Sequence, residues 1–92
     1  SSTPEIRLDC SDDNEKNKIV TKLTKYFTRN YQCENIDGVR ILFDYGWALI
    51  RSSNTQPAIV LRIEAENDAY MNDYKMIVIE KLNEISGYNV NI

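Results

Sequence analysis

Between two stretches of alternating apolar residues lie seven that do not alternate, Arg51-Ser52-Ser53-Asn54-Thr55-Gln56-Pro57. A guanidinium, hydroxyls and carboxamides follow one another here without a single acid. An arginine fork matches two oxygens of a phosphoryl group at once, and hydroxyls with backbone N–H groups of a tight turn add short charge-assisted bonds. Each such bond contributes roughly 1.5–3 kcal/mol net, so three or four can hold a phosphoryl group on an acidic chain. Asparagine tolerates the left-handed backbone region better than any residue except glycine, so Asn54 is expected to adopt it and turn consecutive N–H groups inward. Pro57 is expected to fix the exit of the loop. On composition alone the plainer reading is an ordinary turn, with Arg51 a solvated cation at a strand end.

Other chemistry has less material. The chain has no histidine, which removes the commonest general acid/base and the commonest metal ligand, and no residue is assigned a catalytic role. Glu64, Glu66 and Asp68 alternate into a helix start, where acids are solvated and favoured by the helix dipole, so no metal is assigned to them. Cys10 and Cys33 could form one disulfide, but their spacing matches neither a secreted framework nor a zinc site, and buried thiols are expected.

The 92 residues allow one core. A hydrophobic share of 42% and a charged share of 27% are ordinary for a folded domain. The formal charge of -3 and pI near 4.8 oppose nucleic-acid binding by counterion release. No apolar run approaches the ~20 residues of a membrane span and none has the look of a signal-peptide core, so a cytoplasmic location is expected. Ser1-Ser2-Thr3-Pro4 is polar, lacks an initiator methionine and reads as a connector from a preceding domain, leaving 5–92 as the folded unit.

The elements that must carry the loop follow from periodicity. Residues 5–10 alternate, with Ile6, Leu8 and Cys10 on one strand face. Ser11 or Asp12 caps the next helix, and Asp12 with Glu15 imitates a capping box. From about 13 to 29, Ile19, Val20, Leu23, Tyr26 and Phe27 fall at steps of three and four and make a core stripe under a Lys-rich exposed face. Asp37-Gly38 is a turn signal, followed by a strand with Val39, Ile41 and Phe43 in alternation. Asp44-Tyr45-Gly46 fits a three-residue hairpin with glycine at a positive-φ position, and Trp47, Leu49 and Arg51 share one side of the returning strand. After the loop, Ile59, Leu61, Ile63 and Ala65 alternate with Val60, Arg62 and Glu64. Asn67 caps a second helix with Met71, Tyr74, Val78, Leu82 and Ile85 inward, stopping at Gly87. The tail 88–92 alternates but is too short to assign. The reading is α+β: an antiparallel four-stranded sheet in the order β-α-β-β-β-α, both helices on one face and the other face free for a partner.

Longer stretches carry a resemblance. Asp37-Gly38-Val39-Arg40, then Gly46-Trp47-Ala48-Leu49-Ile50 running into the loop through Pro57, then Val60-Leu61-Arg62-Ile63-Glu64-Ala65 resemble in order and spacing the C-terminal, fourth domain of the α-D-phosphohexomutases. Thr3-Pro4-Glu5-Ile6 resembles the connector that opens that domain. Asn54, with the Gly-Trp pair before it, is closer to the bacterial phosphomannomutase/phosphoglucomutase branch than to phosphoglucosamine mutases, which usually carry glycine there and glutamate where Gln56 stands.

The resemblance implies a TATA-binding-protein-like fold. It implies phosphate contacts from the side chains of Arg51, Ser53 and Thr55 and from the backbone amide of Asn54. The implied ligand is a hexose phosphate, mannose or glucose 1- or 6-phosphate, handled together with the other domains of the same chain. It implies no cofactor in this domain, but Mg²⁺ and a hexose 1,6-bisphosphate activator for the full-length enzyme, whose phosphoserine and metal loop lie in other domains. Closure of the domain on a flexible Thr3-Pro4 connector is a further expectation.

Two other readings stand beside this one. A non-catalytic α+β module could bind RNA or a protein on its open sheet face, although single-strand binders need exposed aromatics among cations and this chain is acidic. A structural domain could pair Arg51 with a carboxylate such as Glu64.

Overall fold

Alternation and helical spacing resolve into seven elements in the computed structural model, which describes residues 1–91. They are β1 (Ile6–Asp9), α1 (Asp13–Asn30), β2 (Gln32–Glu34), β3 (Val39–Phe43), β4 (Gly46–Ser52), β5 (Ala58–Ala65) and α2 (Asp68–Ser86). The strands form one antiparallel sheet in the order β1-β5-β4-β3-β2. The α+β class stands, with five strands in place of the expected four. The addition is β2, an edge strand of three residues that pairs Cys33 with Ile41 of β3. With one apolar residue in three it has no periodicity to read; its pairing comes from the turn at Asp37 (φ 56) and Gly38 (φ 106), which folds it back on β3.

Both helices pack on one face of the sheet. Asp12 caps α1, its carboxylate accepting from the Glu15 N–H at 2.8 Å. Glu15 reaches back to the N–H of Ser11, one residue before the cap rather than the cap itself. Asn67 caps α2 through the Tyr70 N–H, and Gly87 (φ 78) ends it in the left-handed conformation that glycine adopts without a Cβ clash. Between helices and sheet lie Leu23 and Phe27 of α1, Val78 and Leu82 of α2, and Ile41, Ile50, Ile59, Leu61 and Ile63 of the strands, all buried. Each large apolar side chain contributes roughly 1.5–3 kcal/mol on removal from water.

The β3–β4 hairpin corrects the expected turn. Phe43 pairs with Gly46, so the loop has two residues, Asp44 and Tyr45, and Gly46 is the first residue of β4 without a positive φ. Glycine is required there for a different reason. A Cβ at position 46 would lie 2.2 Å from the Glu64 carbonyl oxygen and 2.7 Å from the Ala65 Cα, so only glycine lets β4 and β5 approach at this end.

The segment ahead of β1 is tied to the sheet. Thr3 is buried; its N–H donates to the Ile63 carbonyl at 2.8 Å, and its hydroxyl accepts from the Ile63 N–H at 3.1 Å. After α2, residues 88–91 form no strand. Val90 is held instead by the Asn83 carboxamide on both its N–H and its carbonyl, and Ile92 lies outside the described residues.

On the face away from the helices, register sets cross-strand rows. Arg7, Val60 and Arg51 lie side by side across β1, β5 and β4; Arg62, Leu49 and Arg40 form the next row. Directly paired residues point to the same face, so Arg7 and Arg51 flank Val60 at the end of the sheet where the loop begins.

Candidate phosphate-binding site

The loop springs from the end of β4. Its ladder continues one step past the strand, the Ser53 N–H donating to the Ala58 carbonyl at 2.8 Å, so alternation carries Ser53 to the same side as Arg51 and sends Ser52 to the other. The Ala58 N–H donates to the Gln56 carbonyl at 2.8 Å, and the Cys10 N–H donates to the Pro57 carbonyl at 2.7 Å, which moors the loop exit to the end of β1. Pro57 has no N–H to lose in this arrangement.

Three exposed residues remain at the tip, Asn54, Thr55 and Gln56. Among the described residues, none of their backbone N–H groups donates to another protein group, and the Ser53 and Thr55 hydroxyls are likewise unengaged. Asn54 does not take the left-handed conformation expected of it; the only non-glycine residue at positive φ among those described is Asp37. The bend is made by the two short carbonyl bonds at Ser53 and Ala58, which close the loop without a left-handed residue.

Arg51 is half-buried on the open face, its Nη2 3.7 Å from the Glu5 carboxylate. The alternative partner, Glu64, lies across from Trp47, four residues back along β4 and roughly 13 Å away at ~3.3 Å per residue. The pairing of Arg51 is therefore with Glu5, and at that separation it is a loose ion pair rather than a bidentate fork.

Two cations at the loop escape the sequence reading. The Arg7 guanidinium donates to the Gln56 side-chain oxygen and to Asp9 at 3.0 Å. Lys16 of α1 is buried, its ammonium donating to the Ser53 carbonyl at 3.3 Å and pairing with Asp13 at 3.2 Å. The signal for Lys16 was present: it stands three and four residues before Ile19 and Val20, on the core-facing stripe of α1, where a lysine needs a partner. Arg7 could have been placed on the open face because its neighbours Ile6 and Leu8 point inward.

Arg7, Lys16 and Arg51 thus each carry one carboxylate neighbour, Asp9, Asp13 and Glu5. A partly solvated pair such as Arg51–Glu5 is worth about 0–1 kcal/mol, so a doubly charged phosphate can compete with Glu5 for Arg51. Two grooves among the described residues lie away from the loop tip, one of about 500 Å³ between the start of α1 and the end of α2, and one of about 490 Å³ lined by Phe43, Tyr45, Tyr70 and Tyr74. The loop is an exposed edge that can form one wall of a site, presenting a guanidinium, hydroxyls and backbone N–H groups, all of which suit an oxyanion.

The thiols take no part. Cys10 and Cys33 are unpaired, and burial raises the pKa of both above the usual thiol value. Among the described residues no three Cys, Asp or Glu side chains come together to share a metal ion.

The chain and its fold are similar to those of known proteins. The profile of the family described as "Phosphoglucomutase/phosphomannomutase, C-terminal domain" matches residues 5–81. A phosphomannomutase/phosphoglucomutase of Pseudomonas putida is 39% identical over 74 residues, which cover 80% of this chain and 16% of that protein. The protein of the same name from Pseudomonas syringae pv. tomato is 36% identical over 86 residues, 92% of this chain and 18% of the relative. The crystal structure of a phosphoglucomutase/phosphomannomutase family protein from Burkholderia thailandensis superposes with a TM-score of 0.75 at 30% identity, covering 99% of this chain and 19% of the other. The chain spans less than a fifth of the length of each of these relatives. A match that starts at Glu5, runs through the whole loop and ends at Lys81, on a fold shared at that level, places this chain in the phosphoglucomutase/phosphomannomutase C-terminal domain family.

Proposed function

We propose that the loop binds the phosphate of a hexose phosphate, mannose or glucose 1- or 6-phosphate, within a longer phosphomannomutase/phosphoglucomutase. The observation that carries this reading is that, among the described residues, the N–H groups of Asn54, Thr55 and Gln56 and the hydroxyls of Ser53 and Thr55 stand unengaged on the loop that follows the Arg51 guanidinium. Arg51, Ser53 and Thr55 bind through side chains and Asn54 through its amide.

In the proposed reaction a phosphoserine elsewhere in the enzyme phosphorylates the sugar, the bisphosphate reorients, and the other phosphate returns to the serine. A hexose 1,6-bisphosphate is the activator, and Mg²⁺ held by another domain supplies charge neutralisation at the transferring phosphoryl group. This domain grips the phosphate that is not transferred. Its contribution is orientation, which converts loosely held reactants into aligned ones. The family match over 5–81 supports the body of the proposed 5–92 domain, while 1–4 are proposed as the approach to it. Because Thr3 is fixed on β5, any closing motion carries Thr3 with the domain, and the hinge lies ahead of it rather than at Thr3-Pro4. The unpaired thiols support the cytoplasm as the compartment, and no described helix is long and apolar enough to cross a membrane.

The rival reading on the open face gains nothing from Trp47. Its ring is half-buried and covered by the Arg40 guanidinium, 4.7 Å from the ring centre, so it is not a free platform for a base.

The test is Arg51→Ala in the complete enzyme. Loss of the fork is expected to lower kcat/KM by about 2–4 kcal/mol of transition-state stabilisation, as the removal of a charge-assisted pair does. An unaltered catalytic efficiency would contradict the proposal.

A further inference from the structure

We infer that Lys16 is a positioning residue for the phosphate loop: it fixes the peptide between Ser53 and Asn54 so that the Asn54 N–H faces the anion. The inference rests on the phosphate-binding reading above and adds a residue from a different element, 37 positions from Ser53 in the chain.

Lys16 is 9% exposed, on the core-facing stripe of α1. Lysine is almost never buried without a partner, because stripping water from an ammonium is costly. Its two partners here are the Asp13 carboxylate at 3.2 Å and the Ser53 carbonyl at 3.3 Å. Asp13 is exposed and one turn away on the same helix, so it could satisfy the charge without burial. The bond to Ser53 is what the buried position achieves.

The consequence is geometric. The structure has no cis peptide bond among the described residues, and in a trans peptide the carbonyl and the following N–H point in opposite directions. Lys16 reaches the loop from α1, on the helix-covered side of the sheet. Drawing the Ser53 carbonyl toward α1 turns the Asn54 N–H away from it, toward the face that carries Arg51 and Arg7. The Ser53 N–H is already committed to Ala58, so the peptide on each side of Ser53 is held by a separate bond. Asn54 needs no left-handed conformation because a side chain from another element orients its amide. Preorganised donors of this kind favour an anion since nothing need reorganise when it arrives.

The experiment uses this chain labelled with 15N and the variants Lys16→Met and Lys16→Arg, with inorganic phosphate as the probe. Two quantities are read: the order parameter of the Asn54 amide without ligand, and the phosphate dissociation constant from amide shifts. Lys16→Met is expected to lower the Asn54 order parameter below about 0.6, the range of flexible backbone, and to weaken phosphate binding about 5- to 10-fold, the loss of roughly one hydrogen bond. Lys16→Arg, which keeps a donor, is expected to restore both. Should the Met variant lose the fold, Lys16→Gln, too short to reach Ser53, reads the same quantities. Unchanged Asn54 order in the Met or Gln variant overturns the inference, whether phosphate binding is retained or lost; loss with order intact would make Lys16 a direct ligand. Altered order with unaltered affinity overturns it also. If the unmodified chain shows no phosphate response, the binding reading fails while the Asn54 order parameter still decides whether Lys16 fixes the peptide.

Discussion

At Arg51 the neighbouring charge is Glu5, close enough to attract and too far for a fork. Removing that carboxylate frees the guanidinium for an anion, so Glu5→Gln is expected to tighten phosphate binding by about two- to threefold, the scale of an exposed pair. Isothermal titration of both forms with phosphate measures it, and weaker binding in the variant would show Glu5 to support the site instead. The candidate ligands could be singled out where they stand together: Arg51, Ser53 and Thr55 break an alternating pattern, and guanidinium and hydroxyl chemistry does not depend on the details of the turn. Asn54 was read through its backbone tolerance, which is a local argument, and a local argument cannot see a lysine arriving from α1 to hold the preceding carbonyl. Arg7 was missed for the same reason, since its neighbour across the sheet is set by a register that joins β1 to β5 over fifty residues of chain. Cys10 and Cys33, with thiol pKa values raised chiefly by burial, are expected to react with a thiol reagent at neutral pH far more slowly in the folded chain than in denaturant. Equal rates in both states would contradict the burial of Cys10 and the partial burial of Cys33.

Elements whose pattern runs longer than a turn were readable because burial enforces period. Helices α1 and α2, with their caps at Asp12 and Asn67, and strands β3, β4 and β5 lie where alternation and capping chemistry put them. The Asp12 cap belongs to this scale: Asp12→Ala is expected to cost about 1 kcal/mol in denaturant unfolding, from the lost bond to the Glu15 N–H. No change would mean that Glu15 and water replace the cap. Strand β2 was not readable, because three edge residues with one side chain facing the core leave no period to detect. The β3–β4 turn was misjudged because glycine was taken as a conformational requirement, when Gly46 answers instead to the close approach of β5. Gly46→Ala therefore tests the geometry: a Cβ there meets backbone atoms that cannot step aside, and a loss of at least ~2 kcal/mol in unfolding free energy is expected. A neutral substitution would show that the two strands stand farther apart.

Across the whole molecule, Tyr88 beyond α2 donates its hydroxyl to Glu15 at the start of α1, joining the two ends of the helical layer. That bond lowers the Glu15 pKa below its ordinary 4.5 and pushes the Tyr88 phenol up from 10.0 to about 12. A carboxylate lowered on folding stabilises the folded state above its unfolded value, and that contribution fades as pH falls through the folded value; a phenol raised on folding stabilises below 10.0, and its contribution fades as pH climbs towards 12. Tyr88→Phe is expected to flatten the stability profile at both margins, and thermal melts from pH 3 to 6 measure the acid limb. In the proposed full-length enzyme, the fixing of Thr3 on the sheet would carry the domain as one flap, and small-angle scattering is expected to show compaction on addition of sugar phosphate; an unchanged profile would contradict closure. All of this matters to function only if the loop tip captures an anion. Titration of the 15N-labelled chain with glucose 1-phosphate tests that most directly. Saturable millimolar shifts centred on residues 51 to 55 are predicted, weak because the other walls of the cleft are not there to add effective concentration. Silence at those positions up to high millimolar ligand, or shifts centred on Trp47 and Arg62 instead, would contradict the account.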